Sequence, residues 1–467
     1  LAAPARPAGA SPAVAAAAQR RWQRGLLLQV LLCAVPPAAL IALGQVQLAA
    51  YTFWPMLGLL GARLVVLGRA QELLCLLVAT TPFINLLRGL VLYNIIVVSF
   101  AGALLFAYWR APATVKTILR RTPLAVGLLV FFSVYYLISF GLTQAYDKNL
   151  RLLELVFGAL AIVLVGRNRV TFSGALLGLL LSSWAVGLGM LPHNESSGRL
   201  GMIVVGGYAL GNPAQLGLPL ALGFLMLTVD RGLWVGVHHR PLVRLFLLLP
   251  TAILLALTTS RMSWLVAVAG LTTVLLFHRR RRVGILVIII LAAGAVQLAM
   301  LTPFGPSLQL GWNKTFNADR SAANRTSGRS DQWLVTYHAF TESPLSMLVG
   351  SGPGRGRETY ARVSTDVEDV KYGAGRQQAL HSLFMLVAIE AGLAGLLPVL
   401  VTLGYLAFKS VGWIRRTSLF FPPICLLSYG LSICTVAGNG LVDGFLLGTA
   451  LLMTMRATPV TRRKSNP

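Results

Sequence analysis

A histidine at position 381 opens the apolar run HSLFMLVAIEAGLAGLLP, directly after the longest polar stretch in the chain. Imidazole exchanges a proton near neutral pH, and the positive end of a helix disfavours its charged form. A histidine at a helix start can therefore serve as a neutral general base; it can equally cap or pack at an interface. Two cations stand in comparable places, Arg199 in HNESSGRLGM and Arg261 in LTTSRMSW. A guanidinium grips phosphate oxygens with a planar fork and keeps its charge, or it can snorkel to lipid headgroups. Glu390 lies deeper in the run that His381 opens, on the opposite helical face, and is followed by Ala391, Gly392, Ala394 and Gly395. Small residues suit close helix contact, so a structural hydrogen bond between helices is its first reading, and a functional intramembrane acid the lesser one. Asp366, Glu368 and Asp369 are the only grouping with divalent-metal chemistry; with Lys371 beside them they read as a solvated loop, and no metal is expected. GSGPGRG (350–356) lacks the Lys-Ser/Thr of a P-loop and reads as a flexible turn.

The elements that must position these residues are apolar. Of 467 residues, 56% are hydrophobic and 12% charged, with a mean hydropathy of +0.73. Runs of about 20 apolar residues, the length of a membrane-crossing helix, recur along the chain. They fall at 25–44, 51–67, 71–88, 89–109, 122–141, 151–166, 170–190, 202–228, 245–259, 262–278, 283–303, 379–408, 417–434 and 438–456. They are not the short alternating segments of a barrel. The predicted fold is an all-α polytopic transmembrane bundle of about 12–14 spans, the pair between 51 and 88 being the weakest and open to reading as one re-entrant hairpin. GNPAQLGLPLALG (211–223) sets Pro213 and Pro219 inside span 202–228, a kink or a hint that a cavity enters the bundle.

The predicted divisions are a disordered tail (1–24), a first bundle (25–303), a large polar loop (304–378), C-terminal helices (379–456) and a short tail (457–467). The first run reads as a retained helix rather than a cleaved signal. The loop contains TSGRSDQWLVTYHAF, where Trp333, Tyr337 and Phe340 share one helical face and Ser327 can cap. That describes an amphipathic helix lying on the membrane or on the bundle.

Net charge is +26, and the Lys and Arg concentrate in connectors 110–121, 167–169, 231–244, 278–282 (HRRRR), 409–416 and Arg462–Lys464. This is an orientation signal that places both termini in the cytoplasm. Nucleic acid is excluded as a partner, because no basic stretch interleaves with stacking aromatics in a soluble region. Segments 142–150, 191–201, 258–261 and 304–378 then share the opposite side, where Arg199 and Arg261 run against the rule and need a reason. Cys33, Cys75, Cys425 and Cys434 all lie in apolar runs, so neither a disulfide framework nor a zinc site is implied.

Taken in order, Arg199, the GNP helix, TTSRMSW, the long loop with GRSDQW and GSGPG, and finally His381 with the EAGLAG turns resemble the bacterial O-antigen ligase and polymerase superfamily, the ligase most of all. The likeness covers roughly residues 150–400 and rests on the order of motifs rather than on any one of them. It implies a multi-pass enzyme of the bacterial inner membrane whose active site and large loop face the periplasm. The implied reaction moves a glycan from undecaprenyl pyrophosphate to a sugar hydroxyl of lipid A-core, inverting the anomeric centre without metal or cofactor. Within that likeness His381 takes the place of the base, Arg199 and Arg261 those of the pyrophosphate contacts, and Arg329 that of a further, less secure contact. An O-antigen polymerase or a protein O-oligosaccharyltransferase would share the donor and differ in acceptor. A lipid-linked glycan flippase would instead show charges along many spans and a pseudo-repeat, neither of which is found.

Overall fold

The computed structural model describes residues 12–87, 94–121, 127, 130, 134, 146–166, 169–193, 200–205, 208–229, 241–277, 282–303, 305–316, 329–352, 354–367, 370, 374–376, 380, 382–416 and 440–457. The spans expected at 122–141 and 417–434 lie largely outside them, as do Ser327, Cys425 and Cys434.

The architecture is helical. The N-terminal part comprises α1 (Pro12–Ala42), α2 (Val46–Val66), α3 (Ala70–Ala79), α4 (Thr81–Leu87), α5 (Asn94–Arg110), α6 (Pro112–Arg121), α7 (Tyr146–Val165) and α8 (Arg169–Met190). The central part comprises α9 (Pro213–Val229), α10 (Pro241–Leu257), α11 (Arg261–Phe277) and α12 (Arg282–Met300). The loop holds α13 (Gly305–Phe316), α14 (Arg329–Thr341), α15 (Pro344–Val349) and α16 (Gly356–Asp366), and α17 (Leu383–Arg416) and α18 (Gly440–Ala457) complete the chain. Among the described residues four helices are long and apolar enough to cross a membrane. A fifth candidate is the α3–α4 pair, bent by 57°, a broken span or re-entrant loop in the region the sequence marks as weakest. Shorter apolar helices include Ile95–Arg110, Leu153–Val165 and Leu286–Met300.

Glycine sets how closely the helices approach. α7 packs along α18, whose Gly440, Gly444 and Gly448 repeat every fourth residue. A Cβ on Gly444 would lie 2.4 Å from the Leu155 carbonyl oxygen, and one on Gly448 the same distance from that of Ala159. Backbones meet there with nothing between them, the usual way helices gain contact where lipid offers no hydrophobic drive. Several buried hydroxyls are satisfied inside their own helices: Ser183, Thr228 and Thr449 donate to carbonyls four residues back at 2.6–2.7 Å. Large apolar side chains such as Leu59, Leu105, Val268 and Ile290 point outward, as lipid-facing residues do. Cys33 and Cys75 are buried free thiols.

The structure departs from the sequence reading of span 202–228. Helix α9 begins at Pro213, and the residues before it form an antiparallel hairpin pairing Ile203 with Leu210 and Val205 with Tyr208. Pro213 therefore starts a helix rather than breaking one, as a proline without an amide to satisfy does well in the first turn. Asn212 Oδ1 accepts the Ala214 amide at 2.9 Å and caps it. The β-branched Ile203, Val204 and Val205 and the left-handed Gly201 and Gly211 explain why an apolar run became a ribbon.

The core is double. Most helices share one large cluster, while Val335, Ala339, Tyr360, Val363, Leu380, Met385 and Ile389 form a second under the loop helices. The first turns of α17 serve both: Met385 and Ile389 face the loop core, and Phe384, Val387 and Ala391 face the bundle. The amphipathic α14 has the reverse of the simplest packing. Its Asp331, Gln332, Val335, Thr336 and Ala339 turn inward, and Trp333 and Tyr337 turn outward.

Candidate active site

Arg261 is half-buried and is the first residue of α11, following a tight turn after Leu257. Thr259 in that turn holds φ at 47°, a left-handed value rare for a threonine. Hydroxyls fix the turn. Thr258 Oγ1 donates to Leu255 O at 2.7 Å, Ser263 Oγ donates to Ser260 Oγ at 2.9 Å, and the Trp264 indole donates to Leu255 O at 3.1 Å. Gly217 of α9 lets that helix close on the cluster, since a Cβ there would lie 2.3 Å from Ser263 Oγ and 3.1 Å from Thr258 Oγ1. An arginine at a helix N-terminus adds its charge to that of the first-turn amides, a combination that suits an anion.

The connector bearing Arg199 meets this turn. Leu200, buried, donates its amide to Leu257 O at 3.1 Å, just ahead of the turn that leads to Arg261. Gly201 and Gly211, at φ 104° and 80°, cross so closely that a Cβ on Gly211 would sit 2.5 Å from Gly201 O. The residue after Arg199 is thus tied to the helix end before Arg261, so that the described end of connector 191–201 meets the turn 258–261, on the side to which the charge pattern assigns both. Arg199 itself lies outside the described residues.

His381 also lies outside the described residues. Its neighbours Leu380 and Ser382 are buried, and Ser382 O accepts the Leu386 amide at 3.0 Å. The helix begins at Leu383 rather than at 379, two residues after His381 in the sequence. Arg329 opens α14, with its side chain outside the described residues. Asp366 is exposed at the end of α16, and Glu368 and Asp369 lie outside the described residues. Among the described residues no three His, Cys, Asp or Glu side chains gather as a metal site would require.

What sequence reasoning missed is how the loop is fastened to α17. Glu390 is 1% exposed and its Oε1 accepts the Gly356 amide at 3.1 Å, the structural hydrogen bond expected of it, made to the first residue of α16. The Ser351 amide donates to Ile389 O at 2.7 Å, its hydroxyl to the same oxygen at 3.0 Å, and the Gly352 amide to Glu390 O at 3.1 Å. These carbonyls are available because α17 breaks at Gly392, which adopts φ 57° and ψ −150°. GSGPGRG is therefore a docked strap rather than a flexible turn. The signal was present in alternating glycines on one side and AGLAG on the other, but nothing in either stretch names its partner. At the outer edge of the loop Arg362 grips Glu342 with both amino groups, at 2.5 and 2.6 Å, and holds that carboxyl below its usual range. Burial, aided by Asp331, pushes the Tyr360 phenol up.

Comparison with curated proteins returned no match. Residues 245–400, which run from α10 through the Arg261 turn and the loop to α17, match the O-Antigen ligase family. That match supports membership of the O-antigen ligase superfamily and a membrane enzyme of the ligase/polymerase type.

Proposed function

We propose that this chain transfers an O-antigen glycan from undecaprenyl pyrophosphate to a sugar hydroxyl of lipid A-core, at the periplasmic face of the bacterial inner membrane. In this reading His381 removes the proton of the acceptor hydroxyl, whose oxygen attacks the anomeric carbon as the bond to pyrophosphate breaks. Arg199 and Arg261 stabilise the charge that grows on the leaving pyrophosphate, an electrostatic contribution that often dominates catalysis. Arg329 adds a further donor contact. One displacement inverts the anomeric centre, and two fixed guanidinium groups let the reaction run without a metal.

The observation that most directly supports the reading is the hydrogen bond from Leu200 to Leu257. It joins two segments distant in sequence, Leu200 following Arg199 in the chain and Leu257 preceding the turn that leads to Arg261. The test is transfer by the reconstituted full chain with a defined undecaprenyl-pyrophosphate glycan. Lipid A-core should be glycosylated. Chain growth on the lipid-linked glycan alone would make the enzyme a polymerase, and product only on protein acceptors would make it a protein O-oligosaccharyltransferase. Movement of the donor across vesicles without any product would overturn the enzyme reading in favour of a flippase.

A further inference from the structure

The loop subdomain carries an apolar surface that its own core leaves uncovered. α15 has the sequence PLSMLV, and Leu345, Met347, Leu348 and Val349 are all exposed, Leu345 by 70% and Leu348 by 56%. Its polar groups are spent on its own start, where Ser343 Oγ accepts the Ser346 amide at 3.0 Å and pairs with Ser346 Oγ at 2.8 Å. A helix bathed in water would not present four apolar side chains in six residues.

Its height relative to the membrane follows from α17. A Cβ on Gly392 would lie 2.7 Å from each of Gly350 N, Leu348 C and Met347 O, so the end of α15 rests directly on the break in α17. Before that break α17 is enclosed, with Met385, Ile389 and Glu390 buried. Beyond it Leu397, Leu400, Val401 and Phe408 are exposed, and the stretch Phe384–Leu406, which straddles the break, is long and apolar enough to cross a membrane. From Leu393 to Phe408 the helix measures about 24 Å at 1.5 Å per residue, and Lys409 follows. A hydrocarbon core is about 30 Å thick, so the bilayer that covers this face must rise to the level of Gly392 or past it. α15 is at that level. The neighbouring α14 turns Trp333 and Tyr337 outward, at 44% and 64% exposure, and these are the side chains enriched where hydrocarbon meets headgroups.

We propose that α15 is an interfacial anchor of the loop, inserted into the leaflet on the loop's side with Leu345, Leu348 and Val349 among phospholipid acyl chains. The anchor fixes the height of the GSGPGRG strap and of the start of α17 relative to the lipid surface. It does not depend on which glycan is transferred or on whether transfer occurs.

The test places a nitroxide at Leu345→Cys, Leu348→Cys and Val349→Cys, one at a time, in the full chain in phospholipid nanodiscs. The unsubstituted chain supplies the background, and Glu358→Cys on the exposed side of α16 supplies the aqueous reference. Relaxation by dissolved oxygen, which concentrates in lipid, should exceed relaxation by a water-soluble nickel chelate at the three α15 sites, with the order reversed at position 358. Because three separate exposed positions are read, misfolding of one variant leaves the other two. Nickel-dominated relaxation at the α15 sites, matching position 358, overturns the proposal.

Discussion

The amide of Gly356 donates to the Glu390 carboxylate across the space between the loop and α17. With the Ser351 and Gly352 amides on the Ile389 and Glu390 carbonyls, it makes the first turns of α17 a part of the loop subdomain as well as of the bundle. His381 stands immediately before those turns in the sequence. Any displacement of the strap must therefore be felt by the segment that carries the proposed base.

Glu390→Ala should release the strap. A buried amide left without its acceptor costs about 1–3 kcal/mol, so hydrogen exchange at Gly356 should accelerate and protease should enter residues 350–366. Glu390→Gln retains an oxygen that accepts the same bond and should keep most of the protection. Equal exchange at Gly356 in the alanine variant and the unsubstituted chain would remove this fastening from the account.

Gly217→Ala should destabilise the bundle around the Arg261 turn. The added methyl would lie 2.3 Å from Ser263 Oγ and 2.9 Å from its Cβ. Overpacking of this kind costs about 1–3 kcal/mol. Gly294→Ala on α12, where nothing lies within 4 Å of the new Cβ, is the control and should be neutral or slightly stabilising. Thermal unfolding in detergent compares them; the double variant Gly217→Ala/Ser263→Ala should recover part of the loss. Equal midpoints for Gly217→Ala and Gly294→Ala would show that the contact yields freely.

Membrane class, helical fold and the Arg261 turn were legible because each rests on local signals: apolar length, basic connectors, and a polar TTS between two apolar runs. The start of α9 was misread because hydropathy does not distinguish an apolar ribbon from an apolar helix. Only the backbone preferences of Gly201, Gly211 and Pro213 do so, and they become decisive once Leu200 is tied to Leu257. The outward turn of Trp333 and Tyr337 was likewise hidden. An amphipathic pattern defines two faces of a helix but does not say which one meets protein, and here Asp331 and Gln332 went inward. The Glu390 bond was anticipated in kind and not in partner, since Gly356 is distant in sequence and bonds through its backbone, which leaves no trace in residue type.

His381→Ala should leave the protein folded, because an interfacial histidine contributes little packing. Transfer should fall by about 10²-fold or more, the usual scale for losing a general base. Gel-filtration behaviour and thermal unfolding establish folding, and single-turnover transfer reads the defect. A folded variant with near-normal turnover would assign the proton to another group.

Chelation should have no effect. Transfer in excess chelator should equal transfer without it, since the proposed charge stabilisation comes from guanidinium groups. Activity lost to chelator and restored by Mg²⁺ or Mn²⁺ would shift attention to Asp366, Glu368 and Asp369. Substitution of those residues would then be expected to abolish the rescue.

The arginines give the most discriminating experiment, because binding and snorkelling make opposite demands on side-chain shape. If Arg199 and Arg261 hold pyrophosphate, charge alone is insufficient: a guanidinium presents a planar fork, and an ammonium is a point charge. Lysine at either position should impair transfer, though less than alanine does. Insertion should stay normal, since lysine keeps the charge and a single substitution removes no span. The defect should be the same with every acceptor, because the contact is to the donor's leaving group. For Arg261 the surrounding turn should persist in both variants, since hydrogen bonds made by Thr258, Ser260, Ser263 and Trp264 hold it. If these side chains only reach for headgroups, lysine should be fully active at both positions. Transfer rates are therefore to be measured for alanine and lysine at each position with two acceptors. Wild-type rates for both lysine variants would reject bidentate recognition of the donor, and a defect confined to one acceptor would move the arginines to the acceptor side of the site.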